Sequence, residues 1–370
     1  MTTKVMRTPR SVDVEITAEC NLRCRYCSFY DNPGVPYESL PTEEWLRFFD
    51  ELGRAGVMTV CISGGEPFVR ADLPQLIDGI VRNRMRFSLL SNGTLITDEL
   101  AGHIARTGRC ESAQVSIDGS RAEIHDQLRG KGSFDRAVAG LRTLQRHGIR
   151  VTSRVTIHRQ NVDDLENVAA FLLETLGLPS FSTNAASYFG SCCRAADQIL
   201  LDRESREKAM AILDGLSVKY PGRLQAAAGP LAEVRAWRAM INAAAGGEAH
   251  VEGGGRLTGC GCTFNNLAVR ADGSYVPCSM LPTLVLGRIN RDALEQVWQD
   301  SPVLVSMRAR GQIELSEFEY CGGCSFVSAC TGNCPALAYR LTGQVDHPSP
   351  DACLRRFLES GGSVPTSSRP

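Results

Sequence analysis

The sequence predicts an α/β fold, a partial (β/α)6 barrel of the TIM type, followed by a C-terminal segment built around metal. Six short apolar runs alternate with amphipathic segments between residues 12 and 186, and such alternation is typical of parallel strands joined by helical crossovers. Eleven of the fifteen cysteines fall within 20–27 and 260–353. Residues 258–355 show little periodicity, which indicates that metal rather than an apolar core organises them.

The composition is that of a globular protein without a membrane or nucleic-acid role. Of the 370 residues, 43% are hydrophobic and 22% are charged, and the net charge is −1. A chain this nearly neutral has no basic field to hold nucleic acid or an anionic membrane. No apolar run is long enough to span a bilayer and the N-terminus lacks a signal-peptide core, so we predict a cytoplasmic protein. In that reducing compartment, clustered cysteines indicate metal ligands rather than disulfides.

The barrel elements follow from period and length. Predicted strands cover 12–17, 57–63, 86–91, 113–118, 150–157 and 181–186. Predicted helices cover 42–54, with Thr42 as N-cap, and 72–83, 97–107, 133–147 and 162–176. Single helices between strands imply right-handed crossovers and a parallel sheet. Functional groups are therefore expected at the carboxyl ends of the strands.

Four regions are expected along the chain. Residues 1–186 form the barrel, 187–257 a helical bridge with a Gly-rich linker, 258–355 the cysteine-rich domain and 356–370 a disordered tail. Within the bridge, helical patterns occur at 203–218 and 231–244, and "AAAGGEAHVEGGGRLTG" predicts a flexible linker.

Three cysteines follow the first strand in "CNLRCRYC". The spacing of Cys20, Cys24 and Cys27 lets a short loop wrap three corners of a [4Fe–4S] cluster. The fourth iron then has no protein thiolate and can bind a substrate or cofactor, as a catalytic metal keeps one position open. The alternative is a zinc site with a distant fourth ligand.

Other strand ends carry small and polar residues. In "SGGEP", Gly64 and Gly65 allow a ligand close to the backbone, Glu66 can neutralise an ammonium group, and Pro67 closes the stretch. "SNGT" offers Ser91 and Asn92, "SIDG" offers Ser116 and Asp118, and "HDQLRG" carries Arg129, whose fork can bind two carboxylate oxygens. In isolation the first motif can be an ordinary turn, and Asn92, Asp118 and His125 can equally be turn-formers.

Together the cysteine triplet and "GGEP" resemble the radical S-adenosylmethionine (SAM) superfamily, and Tyr26 matches that family's aromatic residue before the third cysteine. The resemblance implies a core barrel over about 10–186. It implies that SAM chelates the open iron and yields, after one-electron reduction, a 5′-deoxyadenosyl radical that removes hydrogen from a substrate. It also implies that Ser116 and Arg129 hold the methionyl carboxylate of SAM.

The C-terminal cysteines show the pattern C-x10-G-x4-C over 262–278 and C-x2-C-x5-C-x3-C over 321–334. This order resembles the SPASM extension of radical SAM enzymes, which implies two auxiliary clusters and three [4Fe–4S] clusters in all. The resemblance assigns the first auxiliary cluster to Cys260, Cys262, Cys278 and Cys334, and the second to Cys321, Cys324, Cys330 and Cys353. Structural zinc sites are the alternative. If Cys260 cannot reach, the first auxiliary cluster keeps an open iron.

Four cysteines fall outside these sets. Cys61 and Cys110 are expected to be inert buried thiols. Cys192 and Cys193, in "GSCCR", follow the sixth strand, where a thiol can face the substrate. Two interpretations stay open for this pair: catalytic thiols that return a hydrogen atom to a substrate radical, as in epimerising members of the family, or simple packing.

The resemblance favours an oxidoreductase that matures a ribosomally made peptide by crosslinking or oxidation, close to the maturases of PQQ and mycofactocin. The alternatives are an epimerase or dehydrogenase of a peptide, aminoglycoside or sugar, and a sulfatase-maturating enzyme. The last is disfavoured because Ser279 replaces the acidic base that follows the matching cysteine. Expected partners are a peptide, which either needs a separate recognition protein or docks directly, and a flavodoxin- or ferredoxin-type electron donor. An iron–sulfur carrier or a zinc-binding interaction protein would not need "GGEP".

Overall fold

Ten strands form one sheet in the computed structural model, which describes residues 5–246, 251–258 and 260–366. Their order is β10-β9-β8-β1-β2-β3-β4-β5-β6-β7. The strands are β1 (Ser11–Glu15), β2 (Thr59–Ser63), β3 (Arg86–Ser91), β4 (Cys110–Ser116), β5 (Val151–Ile157), β6 (Phe181–Ala185), β7 (Leu224–Ala226), β8 (Asn266–Val269), β9 (Ser274–Val276) and β10 (Gly287–Arg288).

The helices cover the sheet and return the chain between strands. They are α1 (Thr42–Arg54), α2 (Leu73–Arg82), α3 (Asp98–Arg106), α4 (Ala122–Arg129), α5 (Ser133–Arg146), α6 (Leu165–Ala170), α7 (Ala196–Ile199), α8 (Arg203–Lys219), α9 (Pro230–Ala244), α10 (Leu294–Asp300), α11 (Pro302–Ala309), α12 (Pro335–Thr342) and α13 (Leu354–Glu359). A π-helical stretch, Phe171–Thr175, prolongs α6. No helix of the described residues is long and apolar enough to cross a membrane.

Parallel pairing runs from β1 through β7, so the carboxyl ends of seven strands meet at one edge. Burial along β2 and β3 alternates with period two, as expected when one face meets helices. Helix α1 buries Trp45, Phe48 and Phe49 in the shared core. The predicted α/β fold with six parallel strands and helical crossovers is confirmed.

Three local features differ from the sequence prediction. Thr42 is the first residue of α1 rather than its N-cap: Pro41 takes the cap position, and the Thr42 hydroxyl donates to the Asp72 carboxylate. Helix α4 was not predicted, since its eight residues bury only three side chains. Strand β7 was also missed, because three residues are too short to show alternation.

The cysteine-rich region joins the barrel sheet. Strand β8 pairs parallel with β1, and β9 pairs antiparallel with β8. Tyr275 and Trp298 are fully buried in the same core as the barrel strands, and the Tyr275 ring meets Phe48 edge-on at 5.8 Å. The expectation that this region lacks an apolar core is therefore wrong: its apolar residues are few, but the largest ones are buried in the shared core, and Tyr275 packs against α1.

The end of the described chain lies against the body of the protein. Helix α13 crosses residue 356, and the Pro365 carbonyl accepts a hydrogen bond from Arg238 Nε at 2.6 Å. This differs from the disorder expected from residue 356 onward. The predicted Gly-rich linker, 243–259, lies partly outside the described residues.

Candidate active site at the carboxyl ends of the strands

The first cysteine loop follows β1 and holds three free, partly buried thiols, Cys20, Cys24 and Cys27. The Leu22 N–H donates to Cys20 Sγ at 3.4 Å. Burial raises the pKa of Cys27, while backbone N–H donors from Tyr30 and Phe29 oppose that rise. Amide donors of this kind stabilise thiolate and tune an iron–sulfur cluster, so the donor set fits the predicted cluster.

Glu66 connects two strand-end turns. Its Oε1 accepts from Ser91 Oγ at 2.8 Å and its Oε2 accepts from the Asn92 N–H at 2.6 Å. The side chain is 1% exposed. Burial raises the pKa of Glu66 to about 7, and these hydrogen bonds hold it from rising further. The carboxylate is thus fixed in place beneath the strand ends.

The glycines before Glu66 allow this turn to pass against the cysteine loop. Gly64 has φ +141°, and a Cβ there would lie 2.5 Å from the Thr17 carbonyl oxygen. A Cβ at Gly65 would lie 2.1 Å from the Glu19 carbonyl oxygen. The Glu66 N–H donates to that same Glu19 oxygen at 2.8 Å. Larger residues would separate the two loops. Pro67, next along the chain, opens a short 3₁₀ turn.

Asn92 also reaches the cysteine loop. Its Nδ2 donates to Asn21 Oδ1 at 2.9 Å and lies 3.9 Å from Cys20 Sγ. Its own Oδ1 accepts from the Thr94 N–H at 2.9 Å, which closes the turn. Asn92 therefore forms a turn and contacts the cysteine loop, and its role as a SAM contact stays a prediction.

Asp118 is the centre of a second buried network. Arg129 Nε and the Tyr26 hydroxyl both donate to its Oδ2, and the Thr156 N–H donates to its Oδ1 at 2.8 Å. Burial alone would raise the pKa of Asp118, but the Arg129 guanidinium holds it below its usual range. The carboxylate that Arg129 meets in the structure is therefore that of Asp118. Ser116 is the last residue of β4 and is partly buried.

Two histidines complete this network. Burial lowers the pKa of His125 to about 4, and its neutral Nδ1 accepts from the Asp118 N–H at 3.1 Å. His158, after β5, stacks on Tyr26 with ring centroids 5.7 Å apart. The sequence analysis missed His158, although its position after the fifth strand places it at the same edge as the other motifs.

The C-terminal cysteines lie close together in two places. Cys262 lies beside Cys260 and Cys278, whose thiols raise its pKa, and the charges of Cys278 and Cys260 add to burial in raising the pKa of Cys334. Cys260 is therefore near the other three members of its predicted group, and its role as a cluster ligand stays a prediction. The members of the second group line one cavity beside Met240 and Phe326: Cys321, Cys324, Cys330 and Cys353.

The remaining four cysteines have other surroundings. Cys192 is fully buried among Leu128, Ala186 and Ile199. Cys193 is partly exposed, and its Sγ accepts from Arg340 Nη2 at 3.3 Å. Cys61 and Cys110 are partly rather than fully buried, and burial raises the pKa of each to about 12. Both are therefore protonated thiols near neutral pH, as expected for unreactive residues.

A cavity of about 420 Å³, called the chamber below, lies between the end of β6 and the first C-terminal cysteine group. Cys260 and Cys334 line one side. Most of the remaining wall is small or apolar, with one charged cluster formed by Arg206, Glu233 and Asp351. The chamber is large enough for one or two amino-acid residues of a substrate. Its lining includes Ala185, Ala186, Ala227, Ala228, Trp237 and Leu337.

Two family models match this chain, one in the barrel and one in the cysteine-rich region. The model of the Radical SAM superfamily matches residues 14–172, and the SPASM model, an iron–sulfur cluster-binding domain, matches residues 260–325. The chain is 28% identical to an AdoMet-dependent heme synthase of Methanosarcina barkeri, over 94% of this chain and 97% of the relative. It is 29% identical to the mycofactocin maturase MftC of Mycolicibacterium smegmatis, over 91% and 81%.

Solved structures share the fold. The crystal structure of Streptococcus suis SuiB bound to precursor peptide SuiA has a TM-score of 0.71 to this chain at 16% identity. The match covers 95% of this chain and 77% of SuiB. The two proteins thus share their fold over 95% of this chain.

Proposed function

We propose that this chain, which carries a radical SAM domain followed by a SPASM iron–sulfur cluster-binding domain, oxidises or crosslinks a ribosomally made peptide. It is an enzyme that uses SAM and a [4Fe–4S] cluster, and its SPASM domain binds additional iron–sulfur clusters. When bound, SAM and its cluster supply a carbon radical that removes a hydrogen atom from the substrate. The protein orients these groups and excludes water.

The residues present fit these cofactors. Cys20, Cys24 and Cys27 would hold the cluster with one iron left for SAM. Glu66, in the turn that also contains Gly64, Gly65 and Pro67, would accept a hydrogen bond from the SAM ammonium. Ser91 and Asn92 hold the Glu66 carboxylate in position. We assign the methionyl carboxylate of SAM to Ser116 and Arg129, with Asp118 orienting the guanidinium. The grouping of the eight C-terminal cysteines supports two further clusters, three in all.

The chamber is the observation that carries the choice of a peptide. A substrate in the chamber would lie between the strand ends and the first C-terminal cysteine group, and the chamber wall is mostly apolar. Its one arginine, Arg206, already faces two carboxylates, those of Glu233 and Asp351. A haem-type substrate, suggested by one relative, carries carboxylates that would meet this negative cluster. An uncharged peptide segment meets no such repulsion.

Two alternatives are less well supported. Sulfatase maturation needs an acidic base beside Cys278, where Ser279 stands. Epimerisation of a peptide, aminoglycoside or sugar needs a thiol facing the substrate. Cys192 is fully buried among apolar side chains, Cys193 contacts Arg340, and neither lines the chamber. We therefore favour a net oxidation in which an auxiliary cluster takes up the second electron.

The partners follow from this chemistry. Reduction of the first cluster requires a one-electron donor, for which we propose a flavodoxin or ferredoxin. We also propose a separate recognition protein that delivers the peptide. Both are proposals about proteins outside this chain, and co-purification of either with the tagged enzyme would test them.

The direct test is the reaction itself. Anaerobically reconstituted protein, supplied with SAM and dithionite, should form 5′-deoxyadenosine. With a candidate precursor peptide, mass spectrometry should show loss of two hydrogens. An unchanged mass with one deuterium incorporated in heavy water would establish epimerisation instead. A protein that binds zinc and leaves SAM intact would overturn the proposal.

A further inference from the structure

The charged cluster in the chamber contains a buried acceptor without a partner. Glu233 Oε2 has under 1 Å² of exposed surface and no hydrogen-bond donor in the described structure. Its other oxygen, Oε1, lies 3.7 Å from Arg206 Nη1. A buried carboxylate oxygen left without a donor costs free energy. Such a group in a cavity wall points to a donor supplied by a ligand.

Arg206 beside it has donors to spare. Its Nη1 donates to the Asp351 carbonyl oxygen at 2.9 Å and its Nη2 donates to Asp351 Oδ1 at 3.2 Å. A guanidinium carries five N–H groups, so these two bonds leave the remainder directed elsewhere. The Arg206 side chain is only 14% exposed, which fixes its orientation within the wall of the chamber.

We propose that Glu233 and Arg206 together bind one primary amide group of the substrate, Glu233 accepting the N–H that lies on the same edge as the carbonyl and Arg206 donating to the carbonyl oxygen. This inference rests on the proposed function, because it names the group by which a peptide is held in the chamber. The surrounding wall, formed largely by Ala227, Ala232 and Trp237, would then receive an apolar side chain.

Charge selects an amide over the other common groups. A carboxylate would face Glu233 and Asp351. An ammonium has only donors, so it would lie beside the guanidinium and offer Arg206 no acceptor. A neutral primary amide has a donor and an acceptor on one edge and enters an apolar chamber with the smallest loss of hydration. Cys260 and Cys334 line the same chamber, so the amide would anchor the reacting residue next to the first auxiliary cluster.

Three small probes test this on the full, reconstituted chain with SAM bound and no reductant. N-acetyl-leucinamide is neutral, N-acetyl-leucine carries a carboxylate, and leucinamide carries an ammonium. Calorimetric titration should show the neutral probe binding at least tenfold more tightly than either charged probe. Glu233→Ala should weaken its binding at least tenfold, and Glu233→Gln, which keeps one acceptor oxygen, should weaken it less.

Glu204→Gln is the matched control, since Glu204 on α8 is 82% exposed and should leave binding unchanged. Iron content and SAM cleavage, measured on each preparation, report folding. Equal binding of the three probes, no binding to the wild type, or unaltered binding in both Glu233 variants would overturn the inference. If SAM cleavage persists in that case, the proposed function stands; if the wild type fails to cleave SAM, the proposed function fails instead.

Discussion

Glu66 Oε2 accepts the backbone N–H of Asn92 at 2.6 Å, which joins the turn after β2 to the turn after β3. Asn92 in turn donates to Asn21 in the cysteine loop. Three loops that lie far apart in the sequence are therefore held as one unit. The position of the proposed SAM site is set by this unit rather than by any single turn.

Replacing the charge at the centre of this unit should weaken SAM binding. Glu66→Gln keeps the size of the side chain but removes the charge proposed to face the SAM ammonium. A hydrogen bond to a charged group contributes about 1.5–3 kcal/mol, so affinity should fall about ten- to a hundredfold in equilibrium dialysis. Glu99→Gln, on the exposed surface of α3, is the control. Unchanged affinity in Glu66→Gln would show that Glu66 serves the fold alone.

Gly140 on α5 packs closely against the turn after β3, which is part of the same unit. A Cβ at Gly140 would lie 2.0 Å from the Gly93 carbonyl oxygen, so Gly140→Ala should push the Asn92 turn out of place. We expect a loss of about 1–3 kcal/mol in unfolding free energy and weaker SAM binding. Gly215→Ala, on α8 with no atom within 4 Å of the added Cβ, should raise stability by up to about 1 kcal/mol. Equal effects of the two substitutions in chemical denaturation would contradict the close contact.

The number of clusters can be counted. Eleven grouped cysteines and one open iron correspond to three [4Fe–4S] clusters, hence about twelve iron and twelve sulfide per chain. Replacing Cys20, Cys24 and Cys27 by alanine should leave about eight of each and abolish SAM cleavage. Chemical iron and sulfide assays on anaerobically reconstituted protein measure this. Replacing Cys61 and Cys110 by alanine is the control and should leave twelve. Any other total in the wild type would require a different ligand set.

Binding of the amide probe should depend on pH. Burial raises the pKa of Glu233 to about 7, against 4.5 for an ordinary glutamate. Arg206 opposes this rise and Asp351 adds to it, and Tyr188 also lies beside the cluster. Only the ionised carboxylate is a full acceptor, so affinity for N-acetyl-leucinamide should be roughly tenfold lower at pH 6 than at pH 8. The Glu233→Gln variant should lose this dependence. The same fall in that variant would assign the titration to another group.

The raised pKa of Glu233 also predicts how the stability of the fold changes with pH. A carboxylate whose pKa is raised on folding contributes stability that is present below its unfolded pKa and is lost as pH rises through the folded value. Because of Glu233, the free energy of unfolding should therefore fall as the pH rises from about 4.5 to 7. Glu233→Gln should flatten that part of the pH profile of unfolding.

The barrel could be predicted because its signals are local. The period of apolar residues located six strands and five helices, and α1 was predicted with its C-terminal end correct and its N-cap one residue too late. The short α4 and β7 carry too few residues for a period to show. The pairing of β8 with β1 joins distant segments, and no local pattern reports such a contact. Apolar content also understated the C-terminal core, because burial of Tyr275 depends on where α1 lies.

The site divides in the same way. Candidate ligand-binding residues, such as Cys20, Glu66 and the C-terminal cysteines, could be predicted from their spacing and their positions at strand ends. The side chains that these residues contact within the protein could not be predicted. The methionyl carboxylate of SAM was the group expected to face Arg129, and the pairing of Arg129 with Asp118 was not predicted. Glu233 sits on a helix with no motif around it, and only the folded chamber sets it apart.

Strand β1 lies between β2 and β8, and Ser11 bonds to Asn266, 255 residues further along the chain. A ribosome adds about 5–20 residues per second, so this partner emerges roughly ten seconds to a minute after β1. Until then the strand has one unpaired edge, which is a template for association with other chains. The unpaired edge of β1 in the nascent protein therefore has to be protected from other chains until the last third of the protein is synthesised. A fragment that ends before β8 should aggregate rather than accumulate as a free barrel.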